Sequence, residues 1–547
     1  MLSKQVQLSP GILQECFEKV RKNFYERIDE KKHAAVYAGV FSEAYAEPEF
    51  TGKFMDLCAY YYESEGDERA LQKGMAVIES IREHQREDGY LGCLEKGKEL
   101  VAFSFWNHGF TLYGLVRMYE ATGDESILAL AKKAADYILS VYADPAAPDI
   151  LEASNMGSQN ISCLYAIGCI YRATGDERYL QFITRVLAHC ETTDMPLLSF
   201  GSIFDLRSKK GIEMLVVYLG ILQYGRMAGD CRAVDAARHY WQEIWESQIR
   251  NTGNGTIREK WTEGGNAARL MPTEEKPNET CVAVGWCELS LALFYADKKP
   301  VYLDALEKTL FNHMIGSLEK SGRDLAYYQG NYGRKIYRTD DGAYQCCRYR
   351  GFTLFSYLKE YLYHYENDCL IPLVYGPSIF EAEGLRVKQE TAYPTKGQIR
   401  FSVQNGGGEK TLKLRIPTWC REWEITGGTG GTGYMTDDGF LTVALPEGNY
   451  TVCLNMTMPL VKEQHEIEGK PYLSYTYGPL LLAADTHYGC ALWREADAGA
   501  SITAVEAGST SLVHFVTDGL HLVDFASAGG NDPVNDQYTV FIPERRP

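Results

Sequence analysis

The chain has 547 residues, 45% hydrophobic and 23% charged, with a net charge of −18. That length exceeds one ordinary domain and ensures a large core, and the composition is that of a globular protein. The acidic balance argues against nucleic acid and anionic membranes as partners, because both need a basic face.

The first residues, Met1 to Leu8, contain no apolar run of signal-peptide length, and no stretch approaches the roughly 20 apolar residues of a membrane helix. The expectation is a cytoplasmic protein. The 15 cysteines are scattered, mostly in apolar runs such as Ile161-Ser162-Cys163-Leu164. Such cysteines act as small buried hydrophobes in a reducing compartment. The 38 tyrosines suit a sugar-binding cleft, and equally suit core and surface filling.

An imperfect repeat fills the first two thirds. Tyr119-Glu120-Ala121-Thr122-Gly123-Asp124 recurs as Tyr171-Arg172-Ala173-Thr174-Gly175-Asp176, with Gly66-Asp67 and Gly229-Asp230 as further copies. Leu293-Phe294-Tyr295-Ala296-Asp297 is a degraded one. In each, glycine supplies a left-handed helix end and aspartate caps the next helix. Two helices per period of a little over 50 residues indicate an array of helical hairpins. About six units fit between residues 12 and 365, which predicts closure into an (α/α)6 toroid over residues 1–366.

Beyond Asn367 the pattern changes. Gln398-Ile399-Arg400-Phe401-Ser402-Val403 and Tyr450-Thr451-Val452-Cys453-Leu454-Asn455 alternate as strands do. Residues 367–490 read as an antiparallel β-sandwich, and 491–547 as a small β extension or second β module. The glycine run from Gly427 to Gly433 lacks the following helix and Lys-Ser/Thr of a phosphate loop, and reads as a hairpin tip. The fold class is thus mainly α plus β.

Two short motifs carry chemistry. Glu279-Thr280-Cys281 and the vicinal pair Cys346-Cys347 together offer three sulfurs and one carboxylate. A Glu-x-Cys pair in an extended segment puts both side chains on one side. Vicinal cysteines rarely form a disulfide, but both can bind one metal. Four such donors complete a tetrahedral zinc shell. The competing reading is three unrelated buried cysteines. Ahead of them, Glu259 and Glu263 flank Trp261 in a Gly-rich stretch, and either is a candidate general acid or a solvated loop charge.

Several segments resemble the β-L-arabinofuranosidase glycoside hydrolases (GH127/GH146-like). They are Asn278 to Trp286, Leu306 to His313, Cys346-Cys347-Arg348-Tyr349-Arg350-Gly351, Leu414 to Trp419, and Tyr477-Gly478-Pro479-Leu480. The resemblance implies a retaining exo-hydrolase releasing terminal β-L-arabinofuranose from plant-derived glycans. It implies Cys346 as a zinc-bound nucleophile, with Glu279, Cys281 and Cys347 as the other ligands of Zn2+ and Glu259 as acid/base. It places His108 and Tyr328 against the substrate; the alternative for His108 is a buried histidine bonded to backbone. The chain departs from the family at Arg348 and Arg350, which predict an acidic sugar or charged aglycone, or else pair with carboxylates behind the site. It departs again at Ser158-Gln159-Asn160, where members often carry a pocket histidine. Alternatives are hydrolysis of another furanose or an acidic branched pectin sugar, or a non-catalytic carbohydrate-binding protein with structural zinc. The expected partner is an oligosaccharide or glycoside, with neither nucleic acid nor membrane, and a homodimer is the candidate assembly.

Overall fold

The computed structural model describes residues 2–39, 47–97, 99, 104–143, 149–152, 157–264, 270–337, 346–428, 434–436 and 438–545. Residues 429–433, most of the glycine run, lie outside that set.

Six helices form an inner ring: Glu47–Glu65, Ser104–Thr122, Cys163–Thr174, Gly211–Ala228, Thr280–Asp297 and Cys346–Ser356. Each packs on the next, and the last packs on the first, so the ring is closed. Their composition explains their place. Gly211–Ala228 and Thr280–Asp297 are apolar on nearly every face, and only a helix surrounded by others buries such a surface. The outer helices are one-sided. Glu177–Cys190 buries Tyr179, Phe182, Ile183, Val186, Leu187 and Cys190, spaced by three or four, and leaves its polar face to solvent. Gly52 and Gly114 let the first two inner helices touch backbone to backbone. A Cβ on Gly52 would stand 2.2 Å from the Phe110 carbonyl oxygen.

The repeat junctions behave as their sequence dictates. Gly66, Gly123, Gly175 and Gly229 all lie at φ between 66° and 69°. Asp67, Asp124, Asp176 and Asp230 each accept a hydrogen bond from the backbone N–H two residues on. In the degraded copy Lys298 takes the left-handed position at φ 55°, and Pro300 opens the next helix without a side-chain cap.

Three sheets follow. One has six strands and runs from Val6–Leu8, through Ser378–Ala382, Leu385–Thr391 and Gln398–Asn405, to Gly448–Met456 and Trp423–Gly427. A five-stranded sheet carries Lys410–Arg415 and Phe440–Leu445. Alternation is clear along Gln398–Asn405, where Ile399, Phe401, Val403 and Asn405 point inward. The third sheet corrects the expected boundary at 490. It starts at Leu460–Ile467, continues through Lys470–Tyr477 and Leu480–Asp485, and pairs the last of these with Leu520–Asp524. Residues 460–485 and 514–524 are therefore one unit. The local strand pattern across 450–485 does not record which sheet each strand joins.

The β units grip the toroid. Fully buried Arg415 reaches Asp304 and Glu307 of the helix Pro300–Lys308 at 2.5 Å each. Tyr393 and Trp419 donate to the same Glu307 at 2.6 and 3.1 Å. The third sheet holds a toroid loop. Tyr332–Gly333 pairs with Tyr538–Thr539, and Val540 N–H donates to the Asn331 carbonyl at 2.8 Å. Breaking a buried pair strands a charge. Arg415→Met is expected to cost about 3–5 kcal/mol, read as a large fall in Tm. Adding Asp304→Asn and Glu307→Gln should recover much of the loss; no recovery would show that the arginine acts through packing alone.

Candidate active site

The inner helices Thr280–Asp297 and Cys346–Ser356 bring their N-termini together. Glu279 caps the first in extended geometry, and Cys281 lies in its opening turn. The Glu-x-Cys pair is therefore not a strand, as its sequence suggested. It bends into a helix, which turns both donors toward Cys346 and Cys347. Helix N-termini also favour anions.

The local chain is firmly held. Asn254 donates to the Glu279 carbonyl at 2.7 Å, and Asn278 to the Gln329 carbonyl at 2.8 Å. Thr280 N–H donates to the Tyr327 carbonyl at 2.9 Å, and its hydroxyl to the Ala326 carbonyl at 2.7 Å. The segment Ala326-Tyr327-Tyr328 is thereby pinned alongside the ligand turn.

The four donors converge. Cys281 and Cys346 sulfurs are 3.4 Å apart, Cys346 and Cys347 sulfurs 4.0 Å, and the Cys347 sulfur lies 3.8 Å from Glu279 Oε1. All four donor atoms lie within 4.8 Å of one another. A tetrahedron with metal–sulfur bonds of ~2.3 Å has edges of ~3.8 Å, so this spacing is that of one ion's shell. Glu279 Oε2 is buried without a hydrogen-bond partner. Burial pushes Glu279, Cys281 and Cys347 up, away from their charged forms. Hydrogen bonds from the Cys281 and Cys347 thiols instead hold Cys346 well down, aided by Lys53. A cluster of this kind could hold a metal ion, and three sulfurs with one carboxylate suit zinc. Glu279, Cys281 and Cys347 are at most 2% exposed, whereas Cys346 is only partly buried. The open side of the cluster is at Cys346.

Glu259 faces that side. Tyr328 donates to its Oε1 at 2.5 Å, and Tyr327 lies 3.5 Å from the same oxygen. The Tyr327 hydroxyl is also 3.2 Å from the Cys346 sulfur, so one hydroxyl stands between carboxylate and thiol. Lys210 pairs with Glu259 Oε2. Arg258 and Glu259 both lie in the left-handed region, at φ 47° and 69°, a cost of about 1–3 kcal/mol each that the surrounding chain must hold. Glu263 is exposed on a turn. Trp261 is buried with its indole N–H on Tyr240 at 2.9 Å, and the aromatic hydroxyls on the Glu259 carboxylate are those of Tyr327 and Tyr328.

Other expectations need correction. His108 is buried between Tyr90 and Tyr137. It donates to the Ala134 carbonyl at 2.8 Å, and its other ring nitrogen accepts from Leu91 N–H at 3.4 Å. Burial pushes its pKa down to about 4. Both nitrogens are committed to backbone, which is the alternative to substrate contact. Arg348 forks onto Asp324 at 2.8 and 3.2 Å, and Arg350 pairs with Glu288. The cations read as a sign of an acidic substrate thus have internal partners. Gln159 approaches Glu213 at 3.5 Å, and Glu213 lies 4.0 Å from Lys210, so the third-repeat position joins the polar wall beside Glu259.

Sequence reasoning missed Lys210, Glu213 and the buried pair Glu49–Lys53. The signal for the last was available: opposite charges four apart in a helix otherwise buried on all sides.

The GH127 β-L-arabinofuranosidase catalytic-domain family matches residues 2–360, and its middle-domain family matches 373–452. A non-reducing end β-L-arabinofuranosidase of Bifidobacterium longum subsp. longum is 23% identical over 500 residues, covering 79% of this chain and 74% of that protein. The crystal structure of a GH127 β-L-arabinofuranosidase from Geobacillus stearothermophilus T6 superposes with a TM-score of 0.80 at 18% identity, covering 99% of this chain and all of the other. A second GH127 β-arabinofuranosidase gives 0.83 at 19% identity, covering 99% and 97%. With the catalytic-domain match spanning well over half of its length, the chain is a glycoside hydrolase of the GH127 β-L-arabinofuranosidase family.

Proposed function

We propose that this protein is a retaining exo-glycosidase that releases terminal β-L-arabinofuranose from plant-derived glycans. Cys346 is the nucleophile, Glu259 the acid/base, and Glu279, Cys281, Cys346 and Cys347 hold zinc. The observation that carries this reading is the Tyr327 hydroxyl, within 3.2 Å of the Cys346 sulfur and 3.5 Å of Glu259. Those two distances cap the separation at the short edge of the roughly 6.5–9.5 Å range of inverting pairs, and leave room for the retaining distance of about 5–5.5 Å.

In the first step the Cys346 sulfur attacks the anomeric carbon. The glycosidic C–O bond breaks, and Glu259 protonates the departing oxygen. In the second, Glu259 takes a proton from water, the water oxygen bonds to the same carbon, and the C–S bond breaks. Zinc, when bound, keeps the thiols deprotonated and draws charge from sulfur, which eases its departure. Tyr328 and Lys210 fix the two oxygens of Glu259, so the carboxylate meets the bond in one orientation.

Three outcomes are expected. Metal analysis should find about one zinc per chain, lost in Cys347→Ala. Cys346→Ser should keep fold and zinc while kcat falls by at least about a thousandfold. Survival of activity in that variant would leave the metal structural and the nucleophile unassigned. Glu259→Gln should lower kcat/KM by about 10²–10⁴ on alkyl glycosides, and less on nitrophenyl glycosides, whose leaving group needs no proton. A nitrophenyl furanoside panel tests the sugar: turnover of a uronic furanoside with none of the arabinofuranoside would overturn the assignment.

A further inference from the structure

The toroid also contains a cavity away from Glu259 and the four donors. A cavity of about 250 Å³ lies on the axis of the inner ring, with walls from all six inner helices and the segment after the last. None of the four thiol and carboxylate donors lines it, nor does Glu259. Glu288 lies seven residues and Tyr295 fourteen residues beyond Cys281 on one wall helix. At 1.5 Å per residue, the cavity runs from Arg350, about 5 Å beyond Cys347, to Tyr295, about 20 Å beyond Cys281.

Its chemistry is specific. Trp106, Phe110, Tyr113, Tyr165, Tyr357 and Tyr361 supply aromatic surface. The charges in the wall are matched. Arg350 pairs with Glu288, and Asp56 accepts from Tyr357 at 2.6 Å and from Arg117 at 3.1 Å. Two hydroxyls are left over. Tyr165 and Tyr361 have hydroxyls bonded to no described residue. Aromatic faces, spare donors and cancelled charge select a neutral ligand with several hydroxyls. The volume equals about eight waters at ~30 Å³ each, which accommodates one sugar ring and excludes a glycan chain.

Access is from the far end. Tyr295 lines both this cavity and a surface pocket formed with Arg226, Lys298, Glu360 and His364, at the C-terminal ends of the inner helices. We propose that the axial cavity is a second ligand site, which takes a neutral polyol of monosaccharide size from the face opposite the thiol cluster. Its occupant touches the two helices that carry the cluster, because Arg350 lies one turn beyond Cys347 and Glu288 two turns beyond Cys281. The inference does not depend on which glycoside is cleaved.

The test uses full-length zinc-loaded protein, with L-arabinose, D-xylose and glycerol as probes. Crystals soaked with L-arabinose should show one ring against Tyr165, Tyr361 and Arg350. Calorimetry should record a binding event that is kept in Glu259→Gln and lost in Ala292→Phe, which fills the cavity. Should Ala292→Phe fail to fold, Tyr165→Phe removes only a hydroxyl and should weaken that event about fivefold. Ordered water alone in the cavity, binding at crystal concentration only, or an event unchanged in both cavity variants would overturn the proposal.

Discussion

The structure depends on one electrostatic constraint: four acidic donors concentrated at a single point inside a closed ring of helices. Three thiols and a carboxylate cannot all ionise in a buried space unless a cation joins them. Burial raises three of them, and the fourth is held down by its neighbours' hydrogen bonds. Two helix N-termini, the buried Lys53 and the pinned Tyr327-Tyr328 segment all bear on that point. The toroid supplies the rigidity that keeps the donors at metal-shell spacing before any ion arrives.

The division of exposure among the donors gives the site its direction. Three of the four donors are sealed behind the ring and one opens toward Glu259. The one sulfur left open stands beside a carboxylate that two tyrosines and a lysine orient. The strained backbone at Arg258 and Glu259 belongs to the same pattern, since such conformations persist where the surroundings impose them.

Much of this was legible in the sequence, for identifiable reasons. The Gly-Asp junctions are local: a left-handed glycine followed by a capping aspartate needs only a few residues, so the hairpin array and its count could be read directly. The cluster of three thiols and a carboxylate was legible because those residue types are rare together. What failed was long-range. Glu259 and Glu263 look equivalent on either side of Trp261, and only the fold places the first beside Tyr328 and leaves the second on a turn. His108 resembles a ligand in sequence, yet its helix turns it into a nest of tyrosines. Arg348 and Arg350 look like free cations because Asp324 and Glu288 are distant in the chain. The sheet boundary near residue 460 was invisible because strand alternation does not record which sheet a strand joins.

The pairing of Tyr332–Gly333 with Tyr538–Thr539 bears on how the protein is made. The loop carrying Tyr327 and Tyr328 is completed by residues synthesised about two hundred positions later. All four thiol and carboxylate donors have been synthesised by residue 347, yet the hydroxyls that orient Glu259 lack their final support until residue 540 follows. The helical ring and its donors can therefore gather during translation, while an ordered reaction centre waits for the end of the chain. A ribosome that stalls in the last sheet leaves the donor cluster gathered but Glu259 without its fully supported tyrosines.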